Sequence, residues 1–127
     1  MLTNRCSKNL SIILKNHGFP QASIEFDSDY YNEDGKLIYN REKELENKSE
    51  LIFAPYICEV IDRFELDLDL YLSVNYNNSC YTYRIYDPTE NVEILSDSKE
   101  NIELSSKAYE LCIMKAIEYY EKKKRKR

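Results

Sequence analysis

Residues 65–86 read ELDLDLYLSVNYNNSCYTYRIY and decide the fold of this chain. Apolar side chains stand at every second position from Leu66 to Tyr76, which is the period of a strand with one buried face. After Asn77-Asn78, a second alternating run extends to Tyr86. Two alternating runs separated by two residues predict an antiparallel β-hairpin.

The register of this hairpin follows from the composition of its faces. A two-residue loop at Asn77-Asn78 gives one apolar face, with the predicted pairs Leu70–Ile85, Leu72–Tyr83 and Val74–Tyr81. The other face then holds the pairs Asp69–Tyr86, Tyr71–Arg84, Ser73–Thr82 and Asn75–Cys80. A three-residue loop would shift one strand by a residue and mix the two faces, so the two-residue loop is favoured. We expect the apolar face to pack against the second and third helices.

Three amphipathic segments predict helices. The first covers residues 4–17 and stops at Gly18, the second begins at Pro55, and the third is capped by Ser105 or Ser106. Apolar residues recur at helical spacing in the second and third segments. These residues are Ile57, Val60, Ile61 and Phe64 in the second, and Tyr109, Cys112, Ile113, Ala116, Ile117 and Tyr120 in the third.

Shorter segments predict the remaining strands. Residues 23–26 alternate, and the turn signal Asp34-Gly35 precedes a strand at 37–39. Residues 40–50 are charged and indicate a solvated loop, whereas residues 92–95 could form a fifth strand. The order is α-β-β-α-β-β-(β)-α. It predicts an α+β fold in which three helices pack on one antiparallel sheet of four to five strands.

The length of 127 residues and the hydrophobic content of 43% suit one domain with a single core. We expect that domain to span residues 1–121. No run of residues approaches the ~18 apolar positions of a membrane span, and the first residues lack the apolar core of a secretory signal. These features lead us to expect a cytoplasmic protein that does not contact membranes.

The last six residues form a basic tail, Lys122, Lys123, Lys124, Arg125, Lys126 and Arg127. Without them the chain has 12 Lys and Arg against 23 Asp and Glu, a formal charge of −11. A run of like charges is typical of a disordered interaction arm, so we expect its removal to leave the fold intact. Its possible anionic partners are nucleic acid and an acidic protein surface, which could belong to a second copy. The alternative is that the tail only aids solubility.

The residue inventory argues against catalysis. His17 is the only histidine and is expected at a helix end, so no nucleophile–histidine pair suggests itself. Glu65, Asp67 and Asp69 would share one strand face, which could hold a hard cation but more commonly reflects a solvated sheet face. The cysteines lack the close pairing of zinc sites and are expected to be reduced thiols in or near the core: Cys6, Cys58, Cys80 and Cys112. We therefore expect no catalytic residue, no metal and no cofactor.

The polar face of the hairpin is the candidate binding surface. It would present tyrosines and one arginine, residue types that are enriched at protein interfaces. Aromatic side chains on a sheet also occur in readers of single-stranded RNA, but the expected acidic surroundings do not suit phosphates. An ordinary solvated face is the alternative. The candidate protein-binding residues are Tyr71, Ser73, Thr82, Arg84 and Tyr86.

Two segments resemble those of a known family. Ile52-Phe53-Ala54-Pro55-Tyr56, leading into Val60–Phe64, resembles its "IAP…V-aromatic" helix start, and Ser105–Lys115 resembles its closing "S…A…CL.K" helix. With the Gly18-Phe19 helix exit, the chain is similar over most of residues 9–121 to small uncharacterised proteins encoded by phages and prophages of gut bacteria. No activity is assigned to that family, so the resemblance implies an origin and no functional residue.

Together these observations predict a non-catalytic, phage-type binding module that acts through contacts with a viral or host protein. Two other classes remain open. One is a virion structural or assembly component, and the other is a nucleic-acid-associated protein that uses the basic tail. A homo-oligomer is compatible with each of them. The expected location is the bacterial cytoplasm or the virion.

Overall fold

The computed structural model describes residues 4–21, 28–39, 51–97 and 100–125. The chain forms two compact units, residues 1–59 and residues 60–127. Each unit contains one three-stranded antiparallel sheet.

Helix α1 of the first unit spans Lys8–Asn16. Its N-cap is Ser7, whose hydroxyl oxygen accepts a hydrogen bond from the backbone N–H of Leu10 at 3.3 Å. Gly18 follows the helix with a φ of +85°, a conformation that favours glycine and ends the helix. The predicted start at residue 4 is wrong, because Arg5 forms a β-bridge with Tyr56 ahead of the helix.

The first sheet consists of three two-residue strands: β1 (Tyr30–Tyr31), β2 (Leu37–Ile38) and β3 (Ile52–Phe53). Their order is β2-β1-β3, and all neighbours are antiparallel. Gly35, with a φ of +81°, lies in the turn between β1 and β2, which confirms the predicted turn at Asp34-Gly35. The predicted strand at 23–26 and loop at 40–50 lie outside the described residues.

Arg5 connects several parts of this first unit. One of its guanidinium nitrogens donates to the carbonyl of Ala54 at 2.6 Å, and another donates to the hydroxyl of Tyr56 at 2.9 Å. The guanidinium also forms an ion pair with Asp29 and lies 4.0 Å from the ring centre of Tyr56. The side chains of Arg5 and Asp29 are only 12% and 5% exposed, so this is a buried ion pair. We refer to these contacts as the Arg5 cluster.

Helix α2 spans Ile57–Leu68 and therefore extends further than the sequence pattern indicates. Leu66 and Leu68 belong to this helix, and Leu66 is 78% exposed. The alternation of apolar residues was misleading because Leu68, four positions after the buried Phe64, also continues the helical stripe. Asp69, with a φ of +54°, ends the helix.

The second sheet contains β4 (Tyr71–Asn77), β5 (Cys80–Asp87) and β6 (Val92–Leu95) in the order β4-β5-β6. The predicted hairpin and fifth strand are thus present. The predicted register is wrong by two residues, since Asn77 pairs with Cys80 and the two-residue loop is Asn78-Ser79. Both loop residues have positive φ, as a tight hairpin turn that matches the strand twist requires. A shift by two preserves the faces, so the separation of apolar and polar residues is as predicted.

Helix α3 spans Ser105–Arg125 and packs against β4 and β5. Its buried residues are Ala108, Cys112, Ile113, Ala116 and Ile117, which confirms most of the predicted stripe. Four residues of the basic tail continue this helix, and Lys123 is only 19% exposed. The expectation of a disordered arm that starts at residue 122 is therefore wrong.

The α+β class and the three helices agree with the sequence prediction. The single sheet of four to five strands does not, because the described residues form two separate three-stranded sheets. The missed elements are β1 and β3, whose two residues each carry no alternating pattern long enough to indicate a strand.

Candidate functional site

The two faces of the second sheet differ in chemistry. Leu72, Tyr83 and Ile85 occupy the face that packs against α3. Side chains alternate along a strand, so the neighbouring positions point to the opposite face. All five predicted binding residues lie together on that opposite face, which we call the open face: Tyr71, Ser73, Thr82, Arg84 and Tyr86.

Within the open face, the residues pair differently from the prediction. Tyr71 is opposite Tyr86, Ser73 is opposite Arg84, and Thr82 is opposite Asn75. Directly opposed residues have Cβ atoms about 5 Å apart, so the two tyrosines are cross-strand neighbours. The two-residue shift therefore places two tyrosines opposite each other at one end of the open face.

Arg84 is central on the open face and is held in place by two neighbours. Its guanidinium donates to a carboxylate oxygen of Glu93 at 2.7 Å and lies 5.1 Å from the ring centre of Tyr86. Both members of this ion pair are 44% exposed. Leu95, directly opposite Arg84 on β6, is 63% exposed. The ring of Tyr86 and the apolar side chain of Leu95 therefore lie next to a guanidinium whose charge is balanced by Glu93.

Glu93 and Leu95 are open-face residues that the sequence reasoning missed. The signal was present in β6, where Val92 and Ile94 alternate with Glu93 and Leu95. Once Val92 is assigned to the helix-facing side by its pairing with Asp87, the other two residues must lie on the open face.

The acidic surroundings of the open face differ from the prediction. Glu65 and Asp67 lie on α2 and not on a strand with Asp69, so the three carboxylates do not share a strand face. Asp67 instead pairs with Arg63 at 3.4 Å. The hydrogen bond between Tyr71 and Asp69 raises the pKa of the Tyr71 phenol above its ordinary value. Asp69 also accepts a hydrogen bond from the Thr89 hydroxyl at 3.2 Å.

A second polar cluster connects the end of α3 to the β5–β6 turn. Asp87 is buried and accepts hydrogen bonds from the Tyr119 hydroxyl at 2.6 Å and from the Lys123 ammonium at 2.8 Å. Its other oxygen accepts from the backbone N–H groups of Thr89 and Glu90 at 3.1 and 3.4 Å. We refer to these contacts as the Asp87 cluster.

The Asp87 cluster changes the acidity of its members. Burial acts to raise the pKa of Asp87, but the hydrogen bonds from Lys123 and Tyr119 outweigh burial and leave that pKa below its ordinary value. For the Tyr119 phenol, burial and the adjacent carboxylate act in the same direction and raise the pKa to about 12. Lys123 is thus committed to a structural ion pair and is not a free cation of the basic tail.

A shallow cavity of about 310 Å³ lies beside the Asp87 cluster. Its lining includes charges of both signs, so it does not favour an anion strongly. The lining residues are Asp67, Leu68, Thr89, Tyr120, Lys123 and Lys124. Of the other tail residues, Lys122 lies 3.3 Å from Glu118, and Lys126 and Arg127 lie outside the described residues.

The remaining candidates for chemistry lie apart from both clusters. His17 is the C-cap residue of α1, and none of the four cysteines, all of which the structure describes, forms a disulfide. Burial raises the pKa of the Cys112 thiol to about 12, which makes it a poor nucleophile. Within the described residues, no group of three or more His, Cys, Asp or Glu side chains could hold a metal ion. In the same part of the chain, no helix has the length and apolar character needed to cross a membrane.

Comparison with known proteins adds no relative: no family model, no curated protein and no solved structure matches this chain.

Proposed function

We propose that this protein is a non-catalytic binding module that recognises another protein through the open face of the second sheet. The observation that carries the proposal is the exposure of Tyr71 and Leu95, at 42% and 63%, on the sheet face that also presents the Arg84 side chain, which is itself 44% exposed. Tyrosine and arginine are the residue types that most often dominate binding energy at protein interfaces.

Preorganisation supports this proposal. The opposite face of the sheet is fixed by α3, and Arg84 is already oriented by Glu93 and by the ring of Tyr86. A partner that binds to ordered side chains loses less conformational entropy than one that must order them. A protein surface with an apolar pocket for Leu95 and acceptors for the remaining donors of Arg84 would match this face.

Nucleic acid is the less favoured partner for the open face. The positive charge of Arg84 is balanced by Glu93, and the carboxylate of Asp69 acts on Tyr71 to raise the pKa of its phenol. Readers of single strands combine stacking aromatic side chains with unpaired positive charge that follows the backbone. Tyr71 and Tyr86 could stack with bases, but the surrounding charge would repel phosphates.

Nucleic acid remains the second candidate partner, at the basic tail. The end of α3 exposes Lys122, Lys124 and Arg125, whereas Lys123 is held by Asp87. At most five of the six basic residues are then available to phosphates. The log–log slope of duplex DNA affinity against salt would be no steeper than about −4.5. A slope near zero would remove this candidate.

The proposed biological setting is a phage or prophage of a gut bacterium, with the protein in the host cytoplasm or in the virion. This setting is supported by the sequence resemblance of the second-helix start and the closing helix, and a virion component would be compatible with a module that binds another viral protein.

Site-specific photo-crosslinking tests the protein-binding proposal. A photoreactive residue at position 71 should capture a partner in host cells, whereas one at Lys107, which is exposed on α3, should not. With that partner purified, Tyr71→Ala and Arg84→Ala should each weaken binding by about tenfold or more. Lys107→Ala is the matched control and should bind like the unmodified protein. Equal capture at both positions, or unchanged affinity of both variants, would refute the proposal.

A further inference from the structure

The second sheet has two edges, and they differ in length and charge. The β6 edge has four residues and presents Glu93 and Leu95. The β4 edge has seven residues, YLSVNYN, with no charged residue, no proline and no glycine. Natural proteins usually protect an exposed edge with charges, prolines or bulges, because a long uncharged edge is a template for pairing. The β4 edge has none of these protections.

The backbone groups on the outer side of β4 can be identified from its neighbour. Tyr81 and Tyr83 of β5 direct their N–H groups away from β4, to the carbonyl of Ile102 at 2.9 Å and the hydroxyl of Ser96 at 3.1 Å. In an antiparallel ladder, residues opposite such positions also point away from their partner strand. Tyr76 is opposite Tyr81, and Val74 is opposite Tyr83.

By the same alternation, Leu72, Val74 and Tyr76 direct their N–H and C=O groups to the outer side of β4. Within the part of the chain that the structure describes, no strand pairs with that side. Tyr76 is 64% exposed, so the edge is accessible near the hairpin loop. These three alternate residues of β4 therefore offer a row of backbone N–H donors and C=O acceptors.

We infer that β4 pairs in antiparallel orientation with β4 of a second copy of this chain, which joins the two three-stranded sheets into one six-stranded sheet. With a two-fold axis at Val74, each outward residue meets an outward residue of the partner. Leu72 would face the partner's Tyr76, and Val74 would face the partner's Val74. Three such pairs supply about six backbone hydrogen bonds.

The side chains of β4 suit this symmetric pairing better than pairing with an unrelated strand. On the helix-facing side, the two-fold axis places Leu72 next to the ring of the partner's Tyr76 and Val74 next to the partner's Val74. Both are favourable cross-strand contacts. On the open face, Ser73 would meet the partner's Asn75. A charged residue near the axis would oppose its own copy, and β4 has none. The segment is therefore self-complementary in shape, polarity and charge.

Sedimentation equilibrium of the full-length protein over a concentration series is the first test. The expected result is a reversible dimer with twice the 15.2 kDa mass of the chain. A protein that stays monomeric at all concentrations would overturn the inference. That result would mean that the β4 edge is free, is paired within the chain, or is reserved for another protein.

Charge variants then test whether β4 forms the contact. Ser73→Lys/Asn75→Lys places like charges opposite each other across the axis and should raise the dimer dissociation constant by about tenfold or more. Ser73→Glu/Asn75→Glu should do the same, and a mixture of the two variants should restore dimers as a heterodimer. The control Leu95→Lys/Leu104→Lys adds equal charge at exposed positions away from β4 and should dimerise normally.

Two outcomes of the variant series would contradict pairing through β4. One is a dimer that both Ser73/Asn75 double variants leave unchanged while the Leu95/Leu104 variant disrupts it. The other is that both Ser73/Asn75 double variants dimerise more weakly but form no heterodimer when mixed, although circular dichroism shows that both are folded.

Discussion

The two sheets of this protein are stabilised in different ways. The first sheet has three strands of two residues each, and polar side chains add contacts to it. Among them are the buried ion pair of Arg5 with Asp29 and the hydrogen bond from the Tyr31 hydroxyl to the carbonyl of Cys6 at 2.7 Å. The second sheet has strands of seven, eight and four residues, and its apolar face packs against α3. Short strands contribute few ladder hydrogen bonds, so polar side-chain contacts must replace them.

Because of this difference, the two sheets should differ in how much stability they lose on a single substitution. A sheet that packs through a continuous apolar face loses only part of its stability when one side chain is truncated. A sheet that lies beside a buried guanidinium can lose several contacts at once, because removing the cation also leaves a buried carboxylate without that counter-charge. The first unit should therefore be the more vulnerable of the two to a single polar substitution.

The largest expected effect is that of Arg5→Ala. This variant removes hydrogen bonds to Ala54 and Tyr56 and leaves Asp29, which is 3% exposed, without its guanidinium. We expect the free energy of unfolding to fall by about 3–5 kcal/mol in a denaturant titration. The matched control is Lys8→Ala, whose exposed ammonium lies 3.3 Å from a carbonyl oxygen and should change stability by less than about 0.5 kcal/mol. Similar losses for both variants would contradict a central role for Arg5.

The Asp87 cluster should give the next largest effect, now in the second unit. Asp87→Asn keeps the size of the side chain but removes the charge that pairs with Lys123. We expect a loss of about 2–3 kcal/mol at pH 7. Glu93→Gln, in the exposed pair with Arg84, is the control and should cost less than about 1 kcal/mol.

The pH dependence of the same variant provides an independent check. The folded-state pKa of Asp87 is below its ordinary value, so its stabilising effect is present above the unfolded-state pKa of about 4. That contribution is lost as the pH falls through the folded-state pKa. The difference in unfolding free energy between the unmodified protein and Asp87→Asn should therefore shrink below about pH 4. A difference that stays constant down to the acid unfolding transition would rule out this ionisation.

A pair of C-terminal truncations should show a smaller effect. Deletion of residues 124–127 keeps Lys123 and its contact with Asp87, whereas deletion of residues 122–127 removes both. The longer deletion should still fold but be less stable than the shorter one by about 1–2 kcal/mol, measured by thermal or denaturant unfolding. Equal stability of the two truncated proteins would mean that the contact between Lys123 and Asp87 adds no stability. The basic tail would then be the solvated arm that the sequence predicts.

Parts of the fold were predictable because they repeat a simple pattern over many residues. The hairpin faces and the stripe of α3 have clear periods, and they were assigned correctly. The position of the hairpin loop was not, because Asn77-Asn78 and Asn78-Ser79 give the same faces and differ only in which residues adopt positive φ. The end of α2 was missed because Leu68 satisfies both the strand and the helix period.

The polar clusters were less accessible to sequence reasoning for a different reason. Arg5 and Asp29, or Asp87 and Lys123, are far apart along the chain, and nothing local distinguishes them from surface charges. For the open face, in contrast, the alternation that defines the strands also selects the face, so all five candidate residues were placed together correctly. Their function as a protein-binding surface remains a proposal.

The smallest expected effect concerns thiol reactivity, and it compares one buried cysteine from each unit. Cys6 and Cys112 are both 0% exposed, whereas Cys58 and Cys80 are half-buried and should react first with a maleimide. Because the first unit depends on short strands, Cys6 should become modified before Cys112 under native conditions. Mass spectrometry of the labelled peptides gives the order of modification. Faster modification of Cys112 than of Cys6 would contradict the expectation that the first unit opens more readily than the second.

Residue-resolved hydrogen exchange of the unmodified protein and of Arg5→Ala tests the difference between the two sheets most directly. This difference predicts that Arg5→Ala loses amide protection in the first sheet, at Tyr30, at Ile38 and at Ala54, whose N–H donates to the carbonyl of Asp29, while β4 and β5 keep most of theirs. Equal loss of protection in both sheets, or unchanged protection in the first sheet, would contradict it.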